Sequence, residues 1–481
     1  MLKKLQFYQN YFNEFDEEFY QIIDPYKFTN SQLIYLNKNI LADFSLENTQ
    51  FEDINNQKIL AGSIIHKTSR PIAIAYAGHQ FGSFVSQLGD GRAILLGEII
   101  DKKNNYHDLQ LKGSGPTKFS RRGDGFAALA SGIRELIIGE ALHNLNIPTT
   151  RILSLSLTNN PVFREEVNRG VVMSRVLSSQ LRVGTFEYFA SRNNKTAIQK
   201  LVNFAVNRHY PAINNEKNIT LKFFQKVVEN QATLIAKWQS VGFIHGVMNT
   251  DNMSIAGQSL DFGPCAFLDE YDDKKVFSAI DKFGRYCFTN QPKIAQWNLW
   301  ILLNCLSVIF TKHDEGLKIL DSFFSKFEKN YYSLMSQKLG FKQKIDKDLV
   351  DEFLIILKKN QADYTKSFRD LSNNLLNPQS PIINGQEYQI WFNKWREKIA
   401  EESKNNLLKV AKRMNQVNPL IIARNHLVEE AIVAGNSLNF KPLNDLLTAL
   451  EKPFDDCSFA IEKFAKPPTE KQKIYQTFCN T

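Results

Sequence analysis

The sequence predicts an α+β fold of two lobes, with an N-terminal extension and additional C-terminal helices. Its 481 residues exceed what one compact core usually holds, so more than one lobe is expected. Between residues 69 and 112, short apolar runs alternate with glycines, a pattern typical of strands joined by tight loops. Residues 126–146 are rich in good helix formers and end before a proline. Strands that enclose one helix, followed by many helices, are typical of a bilobal protein-kinase-like fold.

The order of these patterns divides the chain into four parts. We assign residues 1–60 to the N-terminal extension and residues 61–172 to a kinase-like small lobe. Residues 173–335 are assigned to the kinase-like large lobe with the metal and catalytic loop, because helical spacing dominates from about residue 171. The helical C-terminal region spans residues 336–481, where amphipathic stretches are joined by polar turns.

Composition limits the class of protein. The formal charge of +9 comes without a long basic block, a zinc finger or a helix-turn-helix signature, so we expect no nucleic-acid partner. The five cysteines are widely spaced and include no Cys-x-x-Cys pair, which argues against a disulfide scaffold. The start lacks the apolar core of a signal peptide, and the longest apolar stretch, 297–310, is shorter than the roughly 20 residues of a membrane helix. We therefore expect a cytoplasmic protein without a membrane span.

The most informative stretch is HGVMNTDNMSIAGQSLDFG, residues 245–263. In an ordinary kinase catalytic loop, an Asp two residues after the His accepts the hydroxyl proton, and an Asn five residues later binds magnesium. Here Val247 occupies the base position, whereas Asn252 and Asp261 keep the two metal-ligand positions. The stretch between them predicts a strand, a turn at Gly257 and a second strand. Altered nucleotide chemistry is one interpretation; a hairpin whose side chains cap the backbone is the other.

Lys112 and Glu135 have the order and separation of the lysine–glutamate ion pair of kinases. Lys112 ends the alternating run DLQLK, which predicts a strand, and Glu135 follows 23 residues later on the predicted helix. That helix is mostly apolar, so a glutamate on it is costly unless it is paired. The alternative is a surface lysine and a solvated glutamate.

Two glycine-containing turns are candidates for backbone contact with a nucleotide. Gly89, Gly91 and Arg92 lie in QLGDGRA, where missing side chains allow N–H groups to approach phosphate or ribose oxygens. A hairpin turn would explain the same glycines. Asp124 and Gly125 close the RRGDG turn, where an Asp often caps the amides of the helix that follows.

Three further polar side chains are candidates for the chemistry. Arg175 and Arg182 are seven residues apart, so on a helix they would share one face and could clamp a polyphosphate. Two arginines on a helix are often merely solvated. Asp251 is the nearest carboxylate to the position that Val247 leaves without a base. The alternatives for Asp251 are a hydrogen bond to its own backbone or a second metal ligand.

With these motifs in hand, the chain resembles the selenoprotein O family across about residues 70–270. The resemblance is carried, in this order, by YAGHQFGSFVSQLGDGRA, LQLKGSGPTKFSRRGDG, SGIRELIIGEAL, VMSRVLSSQLRVGTFEYFA and HGVMNTDNMSIAGQSLDFGP. It implies a pseudokinase with a protein-kinase-like fold that binds ATP inverted and transfers AMP, or in some members UMP, to protein hydroxyls.

The resemblance also implies roles for individual residues. Asp251 would be the catalytic base, Asn252 and Asp261 would bind Mg²⁺ or Mn²⁺, and Glu135 would form the structural ion pair. Nucleotide contacts would come from Gly89, Gly91, Arg92, Lys112, Asp124, Gly125, Arg175, Arg182 and Asp261. Cys479 resembles a position that carries selenocysteine or a redox cysteine in some members, and an inert tail thiol is the alternative. Cys265 is close in sequence to Asp261, but the sequence does not place it near Cys479.

The sequence therefore leads to one main hypothesis and two rivals. The main hypothesis is a protein adenylyltransferase or uridylyltransferase that moves AMP from ATP, or UMP from UTP, to Ser, Thr or Tyr hydroxyls and releases pyrophosphate. The rivals are a conventional phosphotransferase and an inactive nucleotide-binding scaffold. Val247 argues against the first rival, and the retained Lys112, Glu135, Asn252 and Asp261 argue against the second.

Overall fold

The computed structural model describes residues 4–310, 312–342, 346–379, 381–456 and 463–478. Its strands are β1 Tyr20–Ile22, β2 Gln32–Leu36, β3 Ile72–Ile74, β4 Gly78–Gln80, β5 Ser83–Val85, β6 Ala93–Ile100, β7 Tyr106–Lys112, β8 Ala127–Ala128, β9 Arg151–Phe163, β10 Val167–Leu177, β11 Phe243–Ile244 and β12 Ala266–Phe267.

The helices occupy most of the remaining chain. They are α1 Asn10–Glu14, α2 Lys38–Asp43, α3 Ile54–Leu60, α4 Leu129–Asn144, α5 Val183–Ala190, α6 Lys195–His209, α7 Ile219–Ser240, α8 Gln291–Leu306, α9 His313–Lys338, α10 Lys347–Lys359, α11 Tyr364–Leu376, α12 Gln386–Ser403, α13 Leu407–Asn415, α14 Asn425–Asn436 and α15 Lys441–Leu450. The expected mixture of helices and strands is confirmed.

One antiparallel sheet organises the first half of the chain. Its strands run in the order β1-β3-β6-β7-β10-β9-β2, and β8 pairs with β10. The residues that we assigned to an N-terminal extension supply β1 and β2, which lie at the two ends of this order. The predicted boundary between residues 172 and 173 falls inside β10, which continues to Leu177 before the helices begin.

The alternation predicted for residues 108–112 is present in β7. Leu109 and Leu111 pack in a core with α2 and α3, while Gln110 and Lys112 extend from the opposite face of the strand. All five residues are buried, since both faces of this central strand are covered. The strand thus holds a lysine in the protein interior, where it needs an ionic partner.

Helix α4 begins three residues later than predicted, at Leu129. The preceding Ala127 and Ala128 form β8 and pair with β10, so the chain is still extended there. Almost the whole helix is buried, because the sheet covers one side and α14 and α15 cover the other. The close approach of α14 to α4 depends on the absence of a side chain at Gly435, because a Cβ there would lie 2.5 Å from Ile133 Cδ1.

The C-terminal half builds a second apolar core from α9 to α13, with Trp391 and Trp395 stacked at its centre. The apolar stretch 297–310 lies largely in α8, whose inward residues are buried, as predicted for an interior helix. Among the described residues, none of the helices has the length and apolar composition required to cross a bilayer.

Lys338, at the end of α9, generates a prediction about stability. It is 4% exposed and lies 4.5 Å from the Phe368 ring, and burial lowers its pKa to about 7. Between that pH and the ordinary value of about 10.4, the unfolded chain binds a proton that the folded protein has released, so stability rises with pH. We expect Lys338→Met to raise the unfolding free energy at pH 6 by about 1–3 kcal/mol, with a smaller gain at pH 9.

Urea unfolding at several pH values measures both effects. Lys329→Met, on the exposed side of the same helix, is the matched control and should leave the pH dependence unchanged. A Lys338→Met protein with the same pH dependence as the original chain would contradict the assignment of a neutralised buried lysine.

Candidate functional site

Nine of the twelve predicted site residues line one cavity of about 890 Å³, a size that suits a nucleotide-sized ligand. The sheet, α4 and the loop between β11 and β12 form its walls. The predicted site residues that line it are Gly91, Arg92, Lys112, Glu135, Arg175, Arg182, Asp251, Asn252 and Asp261. Gly89, Asp124 and Gly125 lie outside this lining.

Asp261 is the centre of a charged cluster that lines the cavity. Its Oδ1 accepts hydrogen bonds from Lys112 Nζ at 3.0 Å and Arg175 Nη1 at 2.6 Å, and its Oδ2 accepts one from Arg182 Nη1 at 2.9 Å. Burial alone would raise the pKa of this carboxyl, but the three cations hold it well below its usual range. Asp261 is therefore an anion throughout the neutral pH range.

Glu135 completes the cluster from α4. Lys112 Nζ lies 2.8 Å from Glu135 Oε2, and Arg175 Nη1 lies 3.1 Å from Glu135 Oε1. The structure thus contains the ion pair of Lys112 with Glu135, rather than a surface lysine and a solvated glutamate. Lys112, Arg175 and Arg182 are thus paired with the carboxylates of Asp261 and Glu135 in a buried position. Cations that can exchange such partners for phosphate oxygens suit a polyanion.

The helical position predicted for Arg175 and Arg182 is wrong. Arg175 lies in β10, and Arg182 is the residue before α5, in extended backbone. They converge because β10 ends at Leu177 and the following turn brings Arg182 back toward the loop of Asp261. Both are buried, so the alternative of solvated arginines is also wrong.

The backbone around Asp261 is unusual. Its φ of 60° lies in the left-handed region, which is uncommon for a residue with a side chain and is found often at functional sites. The predicted turn at Gly257 is present, with φ of 73°. The flanking strands are absent from this described segment, which makes isolated bridges from Ser254 to Arg182 and from Ser259 to Thr149. The hairpin alternative is therefore wrong.

Asp251 lies on a short 3-10 helix, Thr250–Asn252, and is 8% exposed. Burial raises its pKa to about 7. Gln80 Nε2 approaches its Oδ2 at 3.4 Å, while its Oδ1 is buried without a hydrogen-bond partner among the described residues. A carboxyl group with this pKa is suited to accept a proton near neutral pH.

Asn252 is oriented by the loop that carries it. Its Nδ2 donates to the Val247 carbonyl at 3.0 Å, which leaves the amide oxygen free for another ligand. Asn252 and Asp261 line the same cavity and offer hard oxygen donors, the type that Mg²⁺ and Mn²⁺ prefer. The described part of the chain contains no group of three or more His, Cys, Asp or Glu side chains arranged for a metal. A cation here would thus need water or phosphate oxygens as well.

The QLGDGRA loop is held by close packing rather than by a hairpin. β5 pairs with β4, whereas β6 pairs with β3 and β7, so the hairpin-turn alternative is wrong. Gly89 has φ of 79°, and a Cβ on Gly91 would lie 2.9 Å from the Phe119 carbonyl oxygen. The loop therefore presents backbone, together with Arg92, to the cavity.

Asp124 caps a turn rather than helix α4. Its Oδ1 accepts the Phe126 N–H at 3.0 Å, while the cap position of α4 is Ala128. Both carboxylate oxygens of Asp124 also bind the Arg164 guanidinium, at 2.8 and 3.1 Å. Arg164 lines the cavity, so Asp124 reaches the site through that arginine in this structure.

Sequence reasoning missed several residues of the site. Asp90 is buried between Gly89 and Gly91, and its Oδ2 accepts hydrogen bonds from Ile74 N–H and Gln110 Nε2. Gln110 in turn accepts a hydrogen bond from Arg175. Burial raises the pKa of Asp90 to about 6. The position of Asp90 between two glycines of the QLGDGRA motif could have indicated a role in the site. Its hydrogen bond with Gln110 depends on strand register, which the sequence does not show.

Of the two cysteines singled out in the sequence, the structure describes only Cys265. Cys265 is buried next to the Asp261 loop, and Cys479 lies outside the described residues. The predicted redox role of Cys479 therefore stays a prediction.

Comparison with known proteins shows the family of this chain. A family model described as protein adenylyltransferase SelO matches residues 2–451. The chain belongs to the SelO family. Similar proteins, each named protein nucleotidyltransferase YdiU, come from Bradyrhizobium diazoefficiens (42% identical, 98% of this chain and 99% of that protein), Pelagibacter ubique (40%, 98% and 99%) and Maridesulfovibrio salexigens (40%, 98% and 98%). The predicted resemblance is confirmed over nearly the full length of this SelO member.

Replacement of Asp261 tests the charged cluster. Asp261→Ala removes the carboxylate shared by three buried cations, so we expect the unfolding free energy to fall by about 3–5 kcal/mol while the protein stays folded. Metal-dependent ATP binding should weaken at least about 100-fold, as measured by calorimetry with Mn²⁺ and ATP. Asp445→Ala, which removes an exposed ion pair with Lys441, is the control and should change neither value. Unchanged ATP affinity in Asp261→Ala would contradict the assignment.

Proposed function

We propose that this chain is a protein nucleotidyltransferase that transfers AMP from ATP, or UMP from UTP, to Ser, Thr or Tyr hydroxyls of proteins. The single observation that carries the proposal is the pairing of two features in one cavity. Lys112, Arg175 and Arg182 converge on Asp261. Asp251 lines the same cavity and supplies a carboxyl group, whereas Val247, at the position of the ordinary kinase base, has none. The names of the family and of the similar proteins support the same reaction class.

The cation cluster supports a buried position for the outer phosphates. Arg175 and Arg182 are each 2% exposed, so their charges are little screened by solvent. Arg182 also donates to the Asp251 carbonyl at 2.8 Å, so a β,γ-diphosphate on these side chains would leave the α-phosphorus on the side of Asp251. This orientation is the inverted one that the family resemblance implies, and it presents the α-phosphorus rather than the γ-phosphorus to an acceptor.

Asn252 and Asp261 fit a divalent cation, and we propose Mg²⁺ or Mn²⁺. Such a cation supplies charge neutralisation on the phosphate oxygens and helps to orient them. Asp261 would then exchange part of its contact with the arginines for the cation, which frees Arg175 and Arg182 to bind phosphate. The amide of Asn252 is already oriented by Val247 and requires no rearrangement.

The transfer step uses the residues of the chain as follows. The oxygen of the acceptor hydroxyl attacks the α-phosphorus, and Asp251 accepts the proton of that hydroxyl. The bond between the α-phosphorus and the bridging oxygen breaks, and pyrophosphate leaves on the side of Lys112, Arg175 and Arg182. These cations stabilise the charge that develops on the leaving group. The products are the nucleotidylated hydroxyl and pyrophosphate.

The remaining expectations are part of the same proposal. We propose that the two-lobed arrangement is protein-kinase-like, with the cavity between residues 61–172 and 173–335 and a helical region at 336–481. A cytoplasmic location and ATP, UTP and protein acceptors without nucleic acid remain predictions from composition and family.

Two radiolabels test the reaction. With Mg²⁺ or Mn²⁺ and a protein acceptor mixture, label from the α-phosphate of ATP should enter protein, and chelation with EDTA should abolish it. Label from the γ-phosphate in protein would support ordinary phosphorylation and overturn the proposal, and transfer of neither label would support a scaffold. Intact-mass spectrometry distinguishes an AMP adduct from a phosphate.

Asp251→Asn tests the proposed base. The amide keeps the shape of the side chain but cannot accept a proton, so we expect α-label transfer to fall about 10²- to 10⁴-fold. Nucleotide affinity, measured by calorimetry, should stay within a fewfold of the original, because Asp251 is not assigned to the phosphates. Transfer at the original rate would remove Asp251 from the mechanism.

A further inference from the structure

A two-stranded hairpin lies against the loop that carries Asp251. β4 and β5 pair with each other, and the main-chain N–H of Phe81 in the hairpin turn donates to Asn249 Oδ1 at 3.0 Å. Gln80, the preceding residue, approaches Asp251 Oδ2 at 3.4 Å. The close fit depends on Gly78, where a Cβ would lie 2.6 Å from Asp251 Oδ1. The hairpin therefore forms a wall of the cavity directly beside the proposed base.

The segment 279–286 adjoins this hairpin and has a fixed shape. The Tyr286 ring lies 5.1 Å from the Phe81 ring. The buried carboxylate of Asp281 accepts the main-chain N–H groups of Arg285 at 2.9 Å and Tyr286 at 2.8 Å. These bonds close a tight turn over residues 281–286, so the backbone that carries the exposed side chains is held in place.

Several apolar side chains on these two elements are exposed. Phe81 is 37% exposed, Ile280 is 62% exposed and Phe283 is 98% exposed, and these three together we call the apolar rim. Phe81 and Ile280 also line the cavity that contains Asp251, so the apolar rim lies where the cavity meets solvent. Exposed apolar side chains that cluster beside a cavity commonly mark an interaction surface.

We propose that the apolar rim binds an extended segment of the acceptor protein that carries an apolar side chain near its target hydroxyl. This inference rests on the proposed transfer to protein hydroxyls. The hydroxyl must reach Asp251, and the apolar rim begins at Phe81, one residue after Gln80. An extended chain advances about 3.3 Å per residue, so an apolar side chain within about three positions of the hydroxyl would contact the rim.

The physical advantage of this surface is its fixed backbone. The turn on Asp281 holds the main chain of Phe283 in place before any acceptor arrives, so binding costs side-chain but little backbone entropy. Binding would bury the rim and would also exclude water from the entrance to the cavity, which strengthens the charge interactions inside it. A second copy of this chain is the competing occupant of the surface.

Short synthetic peptides with a single Ser, Thr or Tyr test the proposal. Each position near the hydroxyl is occupied in turn by Phe, Leu, Asp or Lys, and α-label transfer from ATP is measured with Mn²⁺. We expect Phe or Leu within three positions of the hydroxyl to raise transfer at least about tenfold over Lys. The double variant Ile280→Ser, Phe283→Ala should raise the KM for those peptides about tenfold, with ATP affinity unchanged.

The matched control is the double variant Ile390→Ser, Leu408→Ala. Ile390 on α12 is 62% exposed, the same fraction as Ile280, and Leu408 on α13 is an exposed apolar residue at 56%. Neither residue lines the cavity. This control variant should have the same KM for the peptides and the same ATP affinity as the original chain. An Ile280→Ser, Phe283→Ala protein that behaves like this control, or peptides that show no preference for apolar neighbours, would overturn the proposal.

The remaining outcomes separate the two proposals. If γ-label is transferred with the same dependence on apolar neighbours, the proposed role of the apolar rim is supported and the proposed nucleotidyl transfer is overturned. If neither label reaches any peptide, both proposals are overturned. Analytical ultracentrifugation provides the last test, because conversion of a dimer to a monomer by the rim substitutions would assign the surface to self-association instead.

Discussion

The carboxylate of Asp261 is the interaction on which the rest of the site depends. It accepts hydrogen bonds from one lysine and two arginines that come from separate parts of the fold. Without this anion, three buried cations would repel one another at a position from which water is largely excluded. The left-handed backbone at Asp261 is the cost of placing the carboxylate between them.

The architecture serves to bring these charges together. β7 supplies Lys112, β10 supplies Arg175, the turn before α5 supplies Arg182, and α4 supplies Glu135. Helix α4 is held in place by α14, through the close approach of Gly435 to Ile133 and an ion pair between Arg134 and Glu429. The C-terminal helices supply few of the residues that contact the cavity. They contribute to the site because they position α4, whose Glu135 in turn holds Lys112.

Much of this site was predictable from sequence because its chemistry is local. The spacing from Val247 to Asp261 and the alternation that ends at Lys112 indicate metal and phosphate ligands without knowledge of tertiary contacts. The helical position of Arg175 and Arg182 was wrong, because a seven-residue spacing fits two turns of helix as well as a strand followed by a turn. The roles of Asp90 and Gln110 depend on strand register and loop packing, which spacing does not encode.

In the proposed mechanism, the outer phosphates bind at the cation cluster and the α-phosphorus faces Asp251. A crystal structure of the chain with Mn²⁺ and an ATP analogue whose α–β bridge is a methylene group tests this claim most directly. The account predicts the β- and γ-phosphates on Lys112, Arg175 and Arg182, with the α-phosphorus toward Asp251. A γ-phosphate that faces Asp251, with the nucleoside end of the analogue next to the arginines, would contradict it.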